Sequence, residues 1–436
     1  MNFDVNKTAS GSLVSPLQSA LWSAERDPVG DRLHLGAAIL FMFFVPLATA
    51  PRDAASGILL GITLLRLFKI ASAYRSVVVV TVFWAIVAYF TWMLIGLTWV
   101  SDIDLGLVDI KKHRMLLVPL LLLPVLHHAP ILIYSFLMGV LLVNLVQILE
   151  FLQWPGGWFE PTTRYGAFNN PIVTSVFTVV ALCYWLQALL VLPARRLWIG
   201  IPVILIAVNG LALSGSRGPL LGLGVAVFAM LSYVLAVNRG LRKRLLLLLG
   251  LVALLSSAMF MVAPATVATT LDAFPKAFNE FQESKSNSRS SVGIRMAMME
   301  YGFGVIKDHP WIGTGPGCAS RYMPDGMDLH GSRGDRVHLH NTYLLAAVTL
   351  GMPGLMLLLW ILLSCFKMAL PLLCTMSVVG GTVFGLIAWM VSAVFDSYQA
   401  SGNYLGLFGI LLSFSLIGFG RKRDLRAANE VSKAND

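Results

Sequence analysis

The chain has 436 residues, 57% of them hydrophobic and only 12% charged. A soluble globule carries roughly 45–50% apolar and about 25% charged residues, so this composition excludes one and points to an integral membrane protein. The formal net charge of +10 is spread through short loops rather than gathered on a soluble module, which favours membrane orientation over a nucleic-acid partner.

In chain order, residues 1–32 carry Lys7, Arg26 and Arg32 among acids and prolines, with no apolar run ahead of a small-residue cleavage site. No removable signal peptide is expected. Apolar runs follow near 34–50, 54–71, 77–99, 115–127, 130–152, 171–192, 198–214, 218–236, 245–263, 341–366, 374–395 and 403–420. Most are long enough to cross ~30 Å of hydrocarbon as helices, and they far exceed the ~10-residue alternating strands of an outer-membrane barrel. The expected fold is all-α: a single membrane domain over 1–436 with about twelve transmembrane helices and both termini on one side.

The positive-inside bias supports that alternation. Arg66, Lys69, Arg75, Arg195, Arg196, Arg239, Arg242, Lys243, Arg244, Lys367 and the basic tail 421–436 fall in one set of loops, read as cytoplasmic. The tail's last stretch, "RAANEVSKAND", reads as disordered. The other set holds "SDIDLGLVDIKKHR", "QWPGGWFEPTTRYGAFNN", "SGSRGP", a long segment 264–340 between spans nine and ten, and "FDSYQASGN". The basic "DIKKHR" is the one exception to the pattern. Of four cysteines, only Cys318 lies in the long polar segment, so no internal disulfide framework is expected.

Within 264–340, "SVGIRMAMMEYGFGVIKDHP" places Ile294, Met298, Tyr301 and Val305 at helical spacing, predicting an amphipathic helix ended by Pro310. "GTGPG" then makes a turn. It is either a structural hinge or a backbone cradle for phosphate, though it follows a helix rather than opening one and lacks a P-loop lysine.

"HNTYLLAAVTLGMPG" reads as His340, Asn341, nine residues, Gly351, two residues and Gly354. It resembles the H-[NSQ]-x9-G-x-x-[GTY] pattern of bacterial O-antigen ligases, in which the histidine is essential. "SRGPLL", with Arg217 and Leu221, resembles that family's R-x3-L element. "GIRMAMMEYGFGVIKDHPWIGTGPG" resembles the arginine, helix and hP-x-x-G-x-G signature of the superfamily of ligases, O-antigen polymerases and pilin oligosaccharyltransferases. The resemblance covers roughly residues 200–420 by motif. It implies a type C-like membrane glycosyltransferase of the bacterial inner membrane, with its site on the periplasmic face and no cofactor. The donor would be an O-antigen on undecaprenyl pyrophosphate, and the acceptor a sugar hydroxyl of lipid A core.

That chemistry suits these residues. A departing pyrophosphate needs permanent cations that bind oxygens in pairs, a role for Arg217 and Arg295, with Arg289 as the substitute for Arg295. The poor hydroxyl nucleophile needs a base, for which His340 is the candidate. His338 either shares the proton work or only orients the loop. Asn341 caps the following helix or orients His340. Gly351 and Gly354 flank Pro353 and suit close packing and a kink rather than chemistry. Asp102 and Asp104 form a D-x-D pair able to hold a divalent metal, but their plain reading is a solvated loop, and no metal is expected. The alternatives are an O-antigen polymerase, a protein O-oligosaccharyltransferase, which usually has a longer C-terminal outer portion, and a twelve-span transporter. Asp396, at the outer end of a span, is the residue that most favours the transporter.

Overall fold

In the computed structural model of the chain, the described residues are 16–78, 80–153, 164–191, 197–237, 239–243, 246, 250, 291–322, 339–375 and 377–435. Nearly all of the run expected at 245–263, most of the loop 264–340, Arg289 and His338 lie outside them. Every regular element among the described residues is helical. The α-helices are α1 (Pro16–Arg26), α2 (Pro28–Phe44), α3 (Thr49–Leu65), α4 (Leu67–Val77), α5 (Thr81–Gly96), α6 (Ile103–His113), α7 (Val118–Leu122), α8 (Ala129–Phe151), α9 (Pro171–Val191), α10 (Leu197–Ser214) and α11 (Arg217–Val237). After the gap come α12 (Ser291–Asp308), α13 (Thr342–Ala369), α14 (Gly381–Ser392) and α15 (Gly402–Asn435).

The span count differs from the expected twelve. Among the described residues five stretches are long and apolar enough to cross a membrane: Ile103–Phe151, Pro171–Val191, Arg217–Val237, Thr342–Cys374 and Gly402–Gly420. A sixth results if α3 and α4 are taken as one broken span, bent by 99°. The bend sits at Arg66, whose Nε donates to Asp27 at 2.9 Å, while Lys69 pairs with the same carboxylate at 3.0 Å. An apolar run holding two cations turns aside where it can pair them. The run at 115–127 is not one continuous helix: it forms short 3-10 and α segments, with Pro119 and Pro124 at the starts of two of them, leading into α8. The tail also departs from expectation: α15 continues as helix through Asn435, as its Ala, Leu, Arg, Glu and Lys content favours.

The bundle has two chemically distinct ends. Asp27, Arg66 and Lys69 meet at one. At the other, Arg52 at the start of α3 hydrogen-bonds Asn403 in the first turn of α15, and the loop between α14 and α15 closes over the start of α13. The core between them is aromatic, with Trp389 buried against Tyr398 and Phe408 at ring separations of 5.2 and 4.9 Å.

One break inside the bundle is fully accounted for. Gly351 has φ 68° and ψ −175°, interrupting α13 two residues before Pro353. The break frees the carbonyls of Val348 and Thr349, which accept from the backbone amides of Thr314 and Gly315 at 2.8 and 2.9 Å. The Leu350 carbonyl accepts from the Trp92 indole at 2.8 Å, and the Met352 amide donates to the Pro310 carbonyl at 2.8 Å. The "GTGPG" turn is thus a backbone clamp on the broken helix, answering the groups that a helix break inside hydrocarbon would leave bare.

A Cβ on Gly351 would lie 2.3 Å from the Trp311 carbonyl oxygen, in a left-handed conformation. Gly351→Ala should therefore lower stability by about 1–3 kcal/mol, read as thermal unfolding in detergent. Gly57→Ala, whose Cβ would meet open space, should be neutral or better. Equal behaviour of the two variants would mean that the clamp is not under steric control.

Candidate functional site

The site is built where α13 begins. Asn341 caps that helix, its Oδ1 accepting from the Tyr343 and Leu344 amides at 3.0 Å each. Just before it, His340 adopts a left-handed backbone with φ 47°, a conformation uncommon outside glycine and stored only where the surroundings impose it. Those surroundings are dense. The Thr342 amide donates to the Ala393 carbonyl at 2.9 Å, the Thr342 hydroxyl to the Asp396 carbonyl at 2.7 Å, and the Gln399 amide nitrogen to the Thr342 carbonyl at 2.7 Å.

This stitching brings the His340 imidazole onto Asp396, with Nδ1 3.2 Å from Oδ1. The other Asp396 contacts come from the Ser397 amide at 2.9 Å and the Tyr404 hydroxyl at 2.9 Å. Burial alone would push this carboxyl up. The hydrogen bond and charge of His340, with the Ser397 and Tyr404 donors, overcome it and hold Asp396 below the ordinary carboxylate range. An ionised carboxylate can only accept, so the imidazole meets Asp396 as a donor through Nδ1, which leaves Nε2 on the far side of the ring.

Three arginines lie within electrostatic reach of that carboxylate or of one another: Arg164, Arg217 and Arg295. Arg164 is latched to the turn before α11, its Nε on the Ser214 carbonyl and one Nη on the Ser216 hydroxyl, both at 2.9 Å. Arg217 opens α11, and Gly218 and Gly222 let that helix press against α14: a Cβ on Gly218 would meet Phe395 at 2.7 Å, and one on Gly222 the Ser392 hydroxyl at 2.2 Å. Small residues four apart are what close helix approach in a membrane requires. Leu221, the last residue of the R-x3-L element, is exposed on α11. Arg295 sits on α12, whose Met298, Tyr301 and Val305 bury against Leu344, Leu345 and Val348 of α13, following the spacing read in the sequence. Burial holds both Arg164 and Arg295 below the ordinary arginine range; for Arg164 the charges of Arg295 and Arg217 add to it against Asp396, and for Arg295 Asp396 opposes it more than Arg217 adds. Cations that repel one another beside a single carboxylate form a site suited to a further anion.

Arg217, Arg295, His340 and Asn341 are therefore brought to one end of the bundle, whereas Gly351 makes the helix break and Gly354 lies buried one turn further along α13. The sequence alone gives Arg164 no motif, and it offers Asp396 only as a transporter residue. Asp102 and Asp104 are exposed, and the Asp102 carboxylate caps α6 through the Asp104 and Leu105 amides. Cys318 is a buried free thiol. Among the described residues the side chains that converge in a metal-ligating pattern are Asp31, His127 and His128, at the opposite end of the bundle.

Residues 202–359 match a family model described as O-antigen ligase. The match supports the O-antigen ligase and polymerase superfamily. The matched segment contains Arg217, Arg295, His340 and the α13 break, while Asp396, Tyr404 and Arg164 lie outside it. No curated protein matches the chain.

The depressed Asp396 gives a signed prediction. Its folded value lies below the ordinary value of 3.8, so its contribution to stability is present above that value and lost as pH falls through the folded one. The difference in thermal midpoint between wild type and Asp396→Asn should narrow steadily as pH is lowered from about 6 to about 3. A gap unchanged across that range would show that Asp396 is not held as the ionised partner of His340.

Proposed function

We propose that this chain is an inverting, metal-independent O-antigen ligase, transferring polysaccharide from undecaprenyl pyrophosphate to a sugar hydroxyl of lipid A core at the periplasmic face of the inner membrane. The observation that carries the reading is the meeting of the His340–Asp396 pair with Arg164, Arg217 and Arg295 at one end of a membrane bundle. The family match over residues 202–359 supports the same superfamily.

In the proposed step the acceptor oxygen bonds to the anomeric carbon as the anomeric C–O bond to the pyrophosphate breaks. The hydroxyl proton passes to Nε2 of His340. Asp396 fixes the tautomer and stabilises the imidazolium that results, as a carboxylate behind a catalytic histidine does. Arg217 and Arg295 bind the pyrophosphate in paired hydrogen bonds and stabilise the charge that develops on it, so no divalent ion is required. Arg164 adds to that field. Arg289 stays the substitute for Arg295 as phosphate ligand, and His338 either shares the proton work or only orients the loop. The transporter alternative loses its main support, because Asp396 is engaged by His340 and Tyr404 at the bundle end rather than lining a mid-membrane path.

Reconstitution with carrier-linked glycan and rough lipopolysaccharide tests the reading: lipid A-linked product selects ligase, and longer carrier-linked chains select polymerase. His340→Ala should lower turnover by at least ~10³-fold without loss of the folded protein. Arg217→Lys and Arg295→Lys keep the charge but lose the paired donors, and each should lower transfer by about tenfold or more. Full activity in the lysine variants would reduce the arginines to a diffuse field.

A further inference from the structure

The basic outward stretch "DIKKHR" breaks the charge pattern of the chain and has no part in the site described above. In the structure it lines a cavity of about 250 Å³ together with the start of α3 and the first turn of α15. Four cations face this space, Arg52, Lys111, Lys112 and Arg114, against one carboxylate, Asp53. That carboxylate is already shared: Arg52 takes Oδ1 at 2.8 Å and Arg114 takes Oδ2 at 3.2 Å. Lys111 and Lys112 have no carboxylate partner among the described residues. Arg52, only 4% exposed, is fixed at the cavity wall by Asp53 and Asn403.

Two facts say what such a cavity is for. The first is its end of the bundle. Asn403, which holds Arg52, is followed in α15 by Tyr404, which holds Asp396. Cavity and catalytic pair thus share one helical turn, on the face where the positive-inside bias disfavours lysine and arginine. Cations kept against that bias need an anion to answer them. The second is the kind of cation. Lysine ammoniums are mobile point charges suited to a phosphate monoester, whereas the pyrophosphate of the donor already has its arginines. The volume falls below the ~300–1,000 Å³ of a drug-sized site and accommodates one anionic sugar.

We propose that this cavity is an acceptor-side subsite that binds a phosphate carried by the sugars of the acceptor glycolipid, and so delivers the acceptor hydroxyl to His340. The proposal rests on the ligase reading. Lys111 and Lys112 are its specificity-determining residues, and neither touches the reacting atoms.

The test uses the full chain in nanodiscs, carrier-linked glycan as donor, and rough lipopolysaccharide before and after dephosphorylation with hydrofluoric acid. For the Lys111→Gln, Lys112→Gln double variant the KM for intact acceptor should rise about tenfold, with kcat and donor KM within about twofold of wild type. On dephosphorylated acceptor, wild type and variant should coincide. Direct binding of fluorescently labelled rough lipopolysaccharide should weaken in parallel. An unchanged acceptor KM, or a rise in donor KM instead, overturns the proposal. So does an effect that disappears when anionic phospholipid in the nanodisc is replaced by phosphatidylcholine, which would make the lysines a lipid-surface contact. If wild type forms no lipid A-linked product, the ligase reading falls, and the binding measurement alone decides whether the cavity takes a phosphorylated glycolipid.

Discussion

The hydrogen bond between the Asp396 carboxylate and the His340 imidazole is the constraint on which the site depends. Neither partner would sit where it does alone. His340 is held in a left-handed backbone by bonds that run through Thr342 to Ala393 and Asp396, and Asp396 is buried at a cost met only by its three donors. The two turns that carry them, one ahead of α13 and one between α14 and α15, are stitched together by backbone and side-chain bonds of 2.7–2.9 Å. Removing His340 would leave Asp396 to the Ser397 and Tyr404 donors alone, and removing the Asp396 carboxylate would take from His340 the acceptor of its Nδ1.

Around this pair the electrostatics are deliberately unbalanced. One carboxylate faces the neighbouring guanidiniums of Arg164, Arg217 and Arg295, and the carboxylate is largely consumed by histidine, tyrosine and a backbone amide. Among the described residues the three guanidiniums outnumber that carboxylate, leaving a surplus of positive charge. Such a site binds a multiply charged anion well, and it binds it better as negative charge grows, which is the requirement for assisting departure of a phosphate leaving group.

The sequence revealed residue types and their neighbours in the chain better than it revealed partners. The α12 helix, the α13 cap at Asn341 and the gathering of Arg217, Arg295 and His340 were legible because each sits in a local pattern: helical spacing, an Asn before an apolar run, a spaced histidine motif. Asp396 and Arg164 were not, since their importance lies in contacts across 56 and roughly 50 positions of chain, to His340 and to the turn at Ser214. The twelve expected spans are matched only in part among the described residues, for a different reason. Hydropathy scores a run such as 115–127 by composition, yet Pro119 and Pro124 remove backbone donors that a straight helix needs, and Arg66 bends a run that composition joins.

The break in α13 links these parts mechanically. A straight helix through Gly351 would satisfy its own backbone and leave the loop after α12 nothing to bind. Because the helix is interrupted, the carbonyls of Val348 and Thr349 capture Thr314 and Gly315, and α12 is pinned along the first half of α13 by Tyr301 and its neighbours. Arg295 rides on that pinned helix. Its distance to the His340 end of α13 is thus set by a backbone clamp nearly three helical turns away at Gly351, which ties the glycine end of the histidine motif to the element that carries Arg295.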